Sequence, residues 1–206
     1  MMKEPASVKG LEEFGRVRLS KNFFMREFLY SEIANFHAMP NIPDNPELAI
    51  RAGTKLCEEL LEPLQDRFGR LVVRSAYRSP LVNGYGNEHG YNCASNEANR
   101  AGHIWDQLDA NGKMGATTSV VIPWFADQYE RGADWRALAW WIHDHLPYSD
   151  MEFFPKRAAF NISWHEDPKR QVYGFANPRG FLTRKGMENW EGSHAAEYAW
   201  FGTDKY

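Results

Sequence analysis

The run from Asn45 to Ser75 constrains the fold more than any other part of the chain. Asn45 can cap a helix, Pro46 suits a first helical position, and Leu56, Cys57, Leu60, Leu61, Leu64 and Phe68 recur at helical spacing. Pro63 is expected to bend this helix and Gly69 to end it. Leu71-Val72-Val73-Arg74-Ser75 follows at once, a β-branched run suited to a strand. A second strand is expected at Ala116–Ile122, stopped by Pro123; its composition fits the interior of a sheet, so Val121 is expected to be buried. Asp134 can cap a helix running to His145, with Trp135, Leu138, Trp141 and Ile142 on its apolar side and Pro147 beyond. Three further strands are expected near Met151–Phe154, Ala159–Trp164 and Gln171–Gly174. Helices preceding a cluster of antiparallel strands argue for an α+β fold, a small antiparallel sheet packed with helices.

A chain of 206 residues is expected to form one domain and can bury about 70% of its unfolded surface without disulfides or metal. A net charge of −3 gives no electrostatic footprint for nucleic acid. The longest apolar stretches, Ala116–Ala126 and Ala137–Ile142, fall far short of the roughly 20 residues a membrane span needs. Residues Met1–Gly10 lack an apolar signal region, so the chain is expected to be cytoplasmic as synthesised, and action outside would need another route, such as phage-type release through a holin. Cys57 and Cys93 lack CxxC partners and are expected to stay reduced. Aromatic residues make up 15% of the chain while mean hydropathy stays at −0.60, which suits a rigid core, an aromatic-lined cleft, or both. Residues 1–20 read as a loose lead-in and 176–206 as a wrapping tail.

From Ser79 to Gly115 the sequence is rich in Asn and Gly with little periodicity, and such long loops tend to carry function. It contains Gly102-His103-Ile104-Trp105-Asp106-Gln107-Leu108-Asp109. If extended, this segment puts His103, Trp105 and Asp109 on one face and Asp106 on the other, with Asn111-Gly112 as a hairpin turn into the Ala116 strand. Asn92–Glu97 could hold a nucleophilic Cys93 with His103 as its base. His143 and His145, two apart on a helix, read as solvated or capping residues, and His194 as a hydrogen-bonding residue of the tail.

Ser75-Ala76-Tyr77-Arg78-Ser79-Pro80, following the helix that contains Leu56–Leu64 and preceded by Leu19–Phe23, resembles the M15 family of zinc D-Ala-D-Ala carboxypeptidases, the hedgehog/DD-peptidase superfamily. Tyr148–Phe153, Phe160–Trp164 and Pro168–Val172 are similar to the family's last strands. The resemblance covers residues 19–85 and 112–175, and implies an M15-like domain over 21–175 with an inserted loop at about 81–114. It implies a peptide or peptidoglycan fragment with a free carboxylate as ligand, Arg78 pairing with that carboxylate, and zinc held by two histidines and an aspartate with water in the fourth position. The chain departs from the pattern at the ligands: Gly112, Ser119 and Asn161 stand where the family has His, Asp and His. One expectation is a relocated zinc held by His103, Asp109 and His165, with Glu166 as general base and Asp106 also in the catalytic group. A second makes His103 and Asp106 a hydrogen-bonded structural pair. The two function classes that follow are a peptidoglycan peptidase and a metal-free module that uses the cleft to bind peptide, as part of a cell-wall, envelope or phage assembly.

Overall fold

The computed structural model describes residues 4–202, so the ends of the lead-in (1–3) and of the tail (203–206) lie outside the described residues. Its elements are α1 (Val8–Gly15), α2 (Glu32–Phe36), α3 (Pro46–Leu56), α4 (Glu62–Phe68), β1 (Val72–Ser75), α5 (Pro80–Glu88), α6 (Asn96–Asn99), β2 (Gly115–Val121), α7 (Pro123–Glu130), α8 (Trp135–His145), β3 (Asp150–Phe154), β4 (Ala159–His165), β5 (Gln171–Gly174) and β6 (Gly180–Thr183). The six strands form one sheet in the order β1-β2-β4-β3-β5-β6. Every pairing is antiparallel except β3 with β5, which is parallel. The fold is α+β.

The side-chain alternation of the strands divides this sheet into two unlike faces. Ala116, Thr118 and Val120 of β2, Phe160, Ile162 and Trp164 of β4, and Met151 and Phe153 of β3 are buried under the helices. Helix α3 lies across β2 and β4, and Trp135 of α8 sits so close to Gly174 that a Cβ there would be 2.3 Å from its ring. The alternate residues Thr117, Ser119, Asn161, Ser163, Asp150 and Glu152 face the other way and are mostly polar. Val121 belongs to this second face and is only half-buried, which corrects the expectation for it; Val120 occupies the core position.

Local signals explain most of the helices. The Asn45 side chain accepts from the Leu48 N–H, Pro46 opens α3, and Gly69 ends α4 with φ at 78°. Pro63 does not break the helix. A π-turn over Cys57–Leu61 precedes it, with the Glu62 N–H donating to the Cys57 carbonyl, so the ladder has already changed register where the proline lacks its donor. Asp134 caps α8, as its side chain accepts from the Arg136 N–H.

Two expectations are corrected, and two hold with an addition. The described part of the lead-in, residues 4–20, is not loose, because α1 is capped by Ser7 and buries Phe14, and Leu19 enters the core. Pro123 stops β2 but opens α7. The stretch from Ser79 is not irregular throughout: Ser79 caps α5, whose Pro80 takes a first-turn position, and Ser95 caps the short α6. The tail adds β6 to the sheet, and its last described turn packs on α8 with Phe201 buried.

Candidate functional site

The polar face of the sheet is the floor of a cleft of about 980 Å³. Its other wall is the segment from Asn92 to Asn111, laid over the start of β2. Gly115 allows the approach, since a Cβ there would lie 2.2 Å from the Ala101 carbonyl oxygen. Where β1 has ended, the loop takes over its hydrogen bonding: Thr117 donates its N–H to the Gly102 carbonyl (2.9 Å), and Trp105 Nε1 donates to the Thr117 carbonyl (3.0 Å). Asparagine side chains hold the wall together. Asn83, fully buried, donates to the Ala94 carbonyl (3.0 Å) and to Asn96 Oδ1 (2.8 Å), and accepts from Asn99 Nδ2 (2.6 Å). These amides make the backbone bonds that the segment's scarce regular structure leaves unmade.

Arg78 stands where this wall meets the end of β1. Its backbone N–H donates to the His103 carbonyl (2.9 Å), and its Nη1 donates to Asn83 Oδ1 (3.3 Å) and Cys93 Sγ (2.8 Å). No carboxylate of the described residues lies within 4 Å of it; Glu32 acts on it only at longer range. Burial lowers the proton affinity of the guanidinium, with Cys93 opposing, yet an arginine remains charged. Arg78 therefore presents a half-buried, unpaired cation. It also lines a second cavity of about 530 Å³ on the α2 side, together with Ile33, Phe36, His37, Tyr91 and Cys93.

The remaining expected site residues divide. Asp109 and His165 come together across the cleft, with Asp109 Oδ2 3.4 Å from His165 Nε2. Asp109 Oδ1 accepts from the N–H groups of Lys113 (2.8 Å) and Asn111 (2.9 Å), and the backbone bond from Lys113 is the main cause holding its carboxyl below the usual range. His165 Nδ1 lies 3.0 Å from both the N–H and the carbonyl oxygen of Asp167, and its Nε2 faces Asp109. His103 lines the same cleft, but its Nδ1 donates to the Ala76 carbonyl (2.6 Å), and burial, reinforced by the Arg78 charge, pushes its pKa down to about 3. It is a neutral structural imidazole under the loop.

Asp106 and Glu166 are turned away from the cleft. Residues 101–106 form turns, so the alternation expected of an extended segment does not apply. Asp106 Oδ2 instead accepts from the Asp44 (2.8 Å) and Asn45 (3.4 Å) N–H groups ahead of α3, and burial raises its pKa. It makes no pair with His103. Glu166 Oε2 accepts from the Met114 N–H (2.8 Å), fastening the strand end opposite. Cys93 bonds to Arg78, while His103 is committed to Ala76, so the two do not form a nucleophile–base pair. Ser119 and Asn161 register opposite each other on β2 and β4, and Asn161 Nδ2 donates to Glu152 Oε2 (2.9 Å). Among the described residues no three His, Cys, Asp or Glu side chains come together as a metal-binding group, and the Asp109–His165 pair lacks the third protein donor a zinc ion needs.

The sequence reading missed the walls of the smaller cavity, Ile33, Phe36, His37 and Tyr91. They lie in segments short enough to carry no period, and only the density of aromatic residues hinted at them. The asparagines that hold Arg78 were visible as composition but not as a network. No family model matches this chain, and neither a curated protein nor a solved structure does so.

Proposed function

We propose that this protein binds peptides through a free carboxylate, as a module with an M15-like arrangement that uses its cleft for recognition, its ligand being a peptidoglycan stem peptide or a peptide of similar chemistry. The observation that carries the reading is Arg78: a half-buried guanidinium with no acidic partner within 4 Å, oriented by Asn83 and Cys93 and open to the cleft. A planar fork of donors in such a place suits a carboxylate, which would supply the missing counter-charge and two acceptors in one plane. The floor then offers main-chain partners. Thr117 Oγ1 and Ser163 Oγ bond to each other (2.7 Å), and Asn161 and Glu152 lie beside them, a row of donors and acceptors along which an extended chain can run.

The peptidase reading with zinc is the competing one. Of its donor set, Asp109 and His165 are assembled, while His103 and Glu166 are committed to backbone partners. Titrating a peptide that ends in D-Ala, as free acid and as amide, tests the binding reading. The acid should bind and the amide should lose at least about tenfold, and Arg78→Lys should lose about as much on the acid while the melting temperature stays within about two degrees, because an ammonium cannot reproduce the fork. Equal affinity for acid and amide would remove Arg78 from the site. Stoichiometric zinc uptake accompanied by cleavage of the same peptide would replace the binding reading with the enzymatic one.

A further inference from the structure

Arg78 lines both cavities, and Asn92 does so with it. The two spaces differ in kind. The larger runs over the polar face of the sheet; the smaller, of about 530 Å³, is walled by Ile33 and Phe36 of α2 and by Tyr91 after α5. Phe36 is 85% exposed and Tyr91 44%, so the chain leaves two aromatic rings in water beside a cavity instead of folding them inward. The wall is nonetheless built. His37 is held by two hydroxyls, with Tyr85 Oη 3.3 Å from its Nδ1 and Tyr91 Oη 3.3 Å from its Nε2, and its ring lies nearly parallel to that of Tyr91 at 5.8 Å. Gly86 of α5 lets both sides of this wall close in, since a Cβ there would lie 2.6 Å from Cys93 Sγ and 2.9 Å from Ile33 Cδ1.

A C-terminal residue has the same three-way shape. Its Cα carries a carboxylate, a side chain and the chain that leads away from it. With the carboxylate on Arg78 and the chain along the polar floor, the second cavity that Arg78 lines is the space left for the side chain. The geometry points to the α2-side cavity as the specificity pocket for the ligand's last residue, selecting a large apolar or aromatic side chain over a small one. This rests on the carboxylate reading of Arg78 and narrows its ligand: a peptide ending in Ala, as a peptidoglycan stem peptide does, becomes the weaker ligand, and one ending in a large apolar residue the stronger. Apolar walls with a few placed polar and charged groups, here Arg78 and Glu32, are how small sites combine affinity with orientation. Glu32, which lines the same cavity and is negative like the ligand's terminus, disfavours a second negative group there and leaves the space to an uncharged side chain.

The experiment titrates the full chain with acetyl-Ala-Ala-Phe, acetyl-Ala-Ala-Ala, the Phe peptide as its amide, and octanoate. The Phe acid should bind at least about tenfold tighter than the Ala acid. The double variant Phe36→Ala/Tyr91→Ala should bring that ratio below about threefold, chiefly by weakening the Phe acid, with thermal melts confirming that it folds; a ratio still at about tenfold would overturn the pocket. Phe and Ala acids of equal affinity, both lost as amides, would overturn the specificity pocket and leave the carboxylate reading standing. An amide as good as its acid would overturn the carboxylate reading itself. Octanoate binding as tightly as the Phe acid would overturn the peptide and assign the cavity to free apolar carboxylates.

Discussion

The two faces of the sheet are made by the same strands and obey different rules. On the helix side, Val120, Phe160, Ile162 and Phe153 are sealed from solvent and need only fill space. On the cleft side, Thr117, Ser163, Asn161 and Glu152 bond in pairs across strands, and their cover is a loop held by asparagines. One face is maintained by shape and the other by a set of directional bonds. A residue's neighbour in sequence therefore belongs to a different physical regime, and substitutions one position apart should have unlike consequences.

The largest expected contrast is between Val120→Asp and Ser119→Asp. A carboxylate at Val120 would be buried without a partner, and we expect a loss of more than about 4 kcal/mol or outright failure to fold; at Ser119, half-exposed on the cleft face, the loss should stay below about 1 kcal/mol. Denaturant midpoints measure both, and equal losses would erase the distinction between the faces. Next in size is Gly115→Ala. Its Cβ would strike the Ala101 carbonyl oxygen, backbone that cannot rotate away, so the cover must lift from the sheet at a cost of about 2–4 kcal/mol. Faster amide exchange across residues 99–104 should accompany that loss, whereas unchanged exchange there would mean the loop does not depend on the close approach.

A smaller effect concerns pH. His103 is neutral in the fold, with a pKa near 3, against about 6.5 when unfolded. Between those values the unfolded chain binds the extra proton, so stability falls as pH drops from about 6.5 toward 3, at no more than about 1.4 kcal/mol per pH unit, and is unaffected by this group above that window. His103→Gln should be flatter than the wild type over this range, and parallel curves would show that the imidazole is not buried as described. Smallest is Thr117→Ala, which removes one hydroxyl pair from the cleft floor; about 0.5–1.5 kcal/mol is expected, read from the same midpoints.

What could be read from the sequence was whatever is decided locally. The Asn45 cap, the Gly69 stop, the Asp134 cap and the β-branched runs of β1 and β2 each depend on a few adjacent residues, and they lie where the spacing placed them. Helix α5 was not legible because its sequence, with two glycines and two asparagines inside, argues against a helix; Ser79, Pro80 and the bonds of Asn83 overrule that propensity. The site was half legible for the same reason. Arg78 follows a strand and lies at a strand end, and Asp109 meets His165. Asp106 was placed by assuming extended chain and Glu166 as the neighbour of His165, and their carboxylates instead satisfy backbone N–H groups brought near by the turns at 101–106 and by the pairing of β2 with β4.

Because a single guanidinium lines both cavities, the two spaces share one thermodynamic account. Two separate anions arriving from opposite sides would contend for the same cation, and by the reciprocity of linkage each would weaken the other equally. Occupancy of both spaces is compatible with only one negative group at the junction. A molecule long enough to enter both must branch there, and the order in which its arms settle changes the rate of association while leaving the affinity untouched.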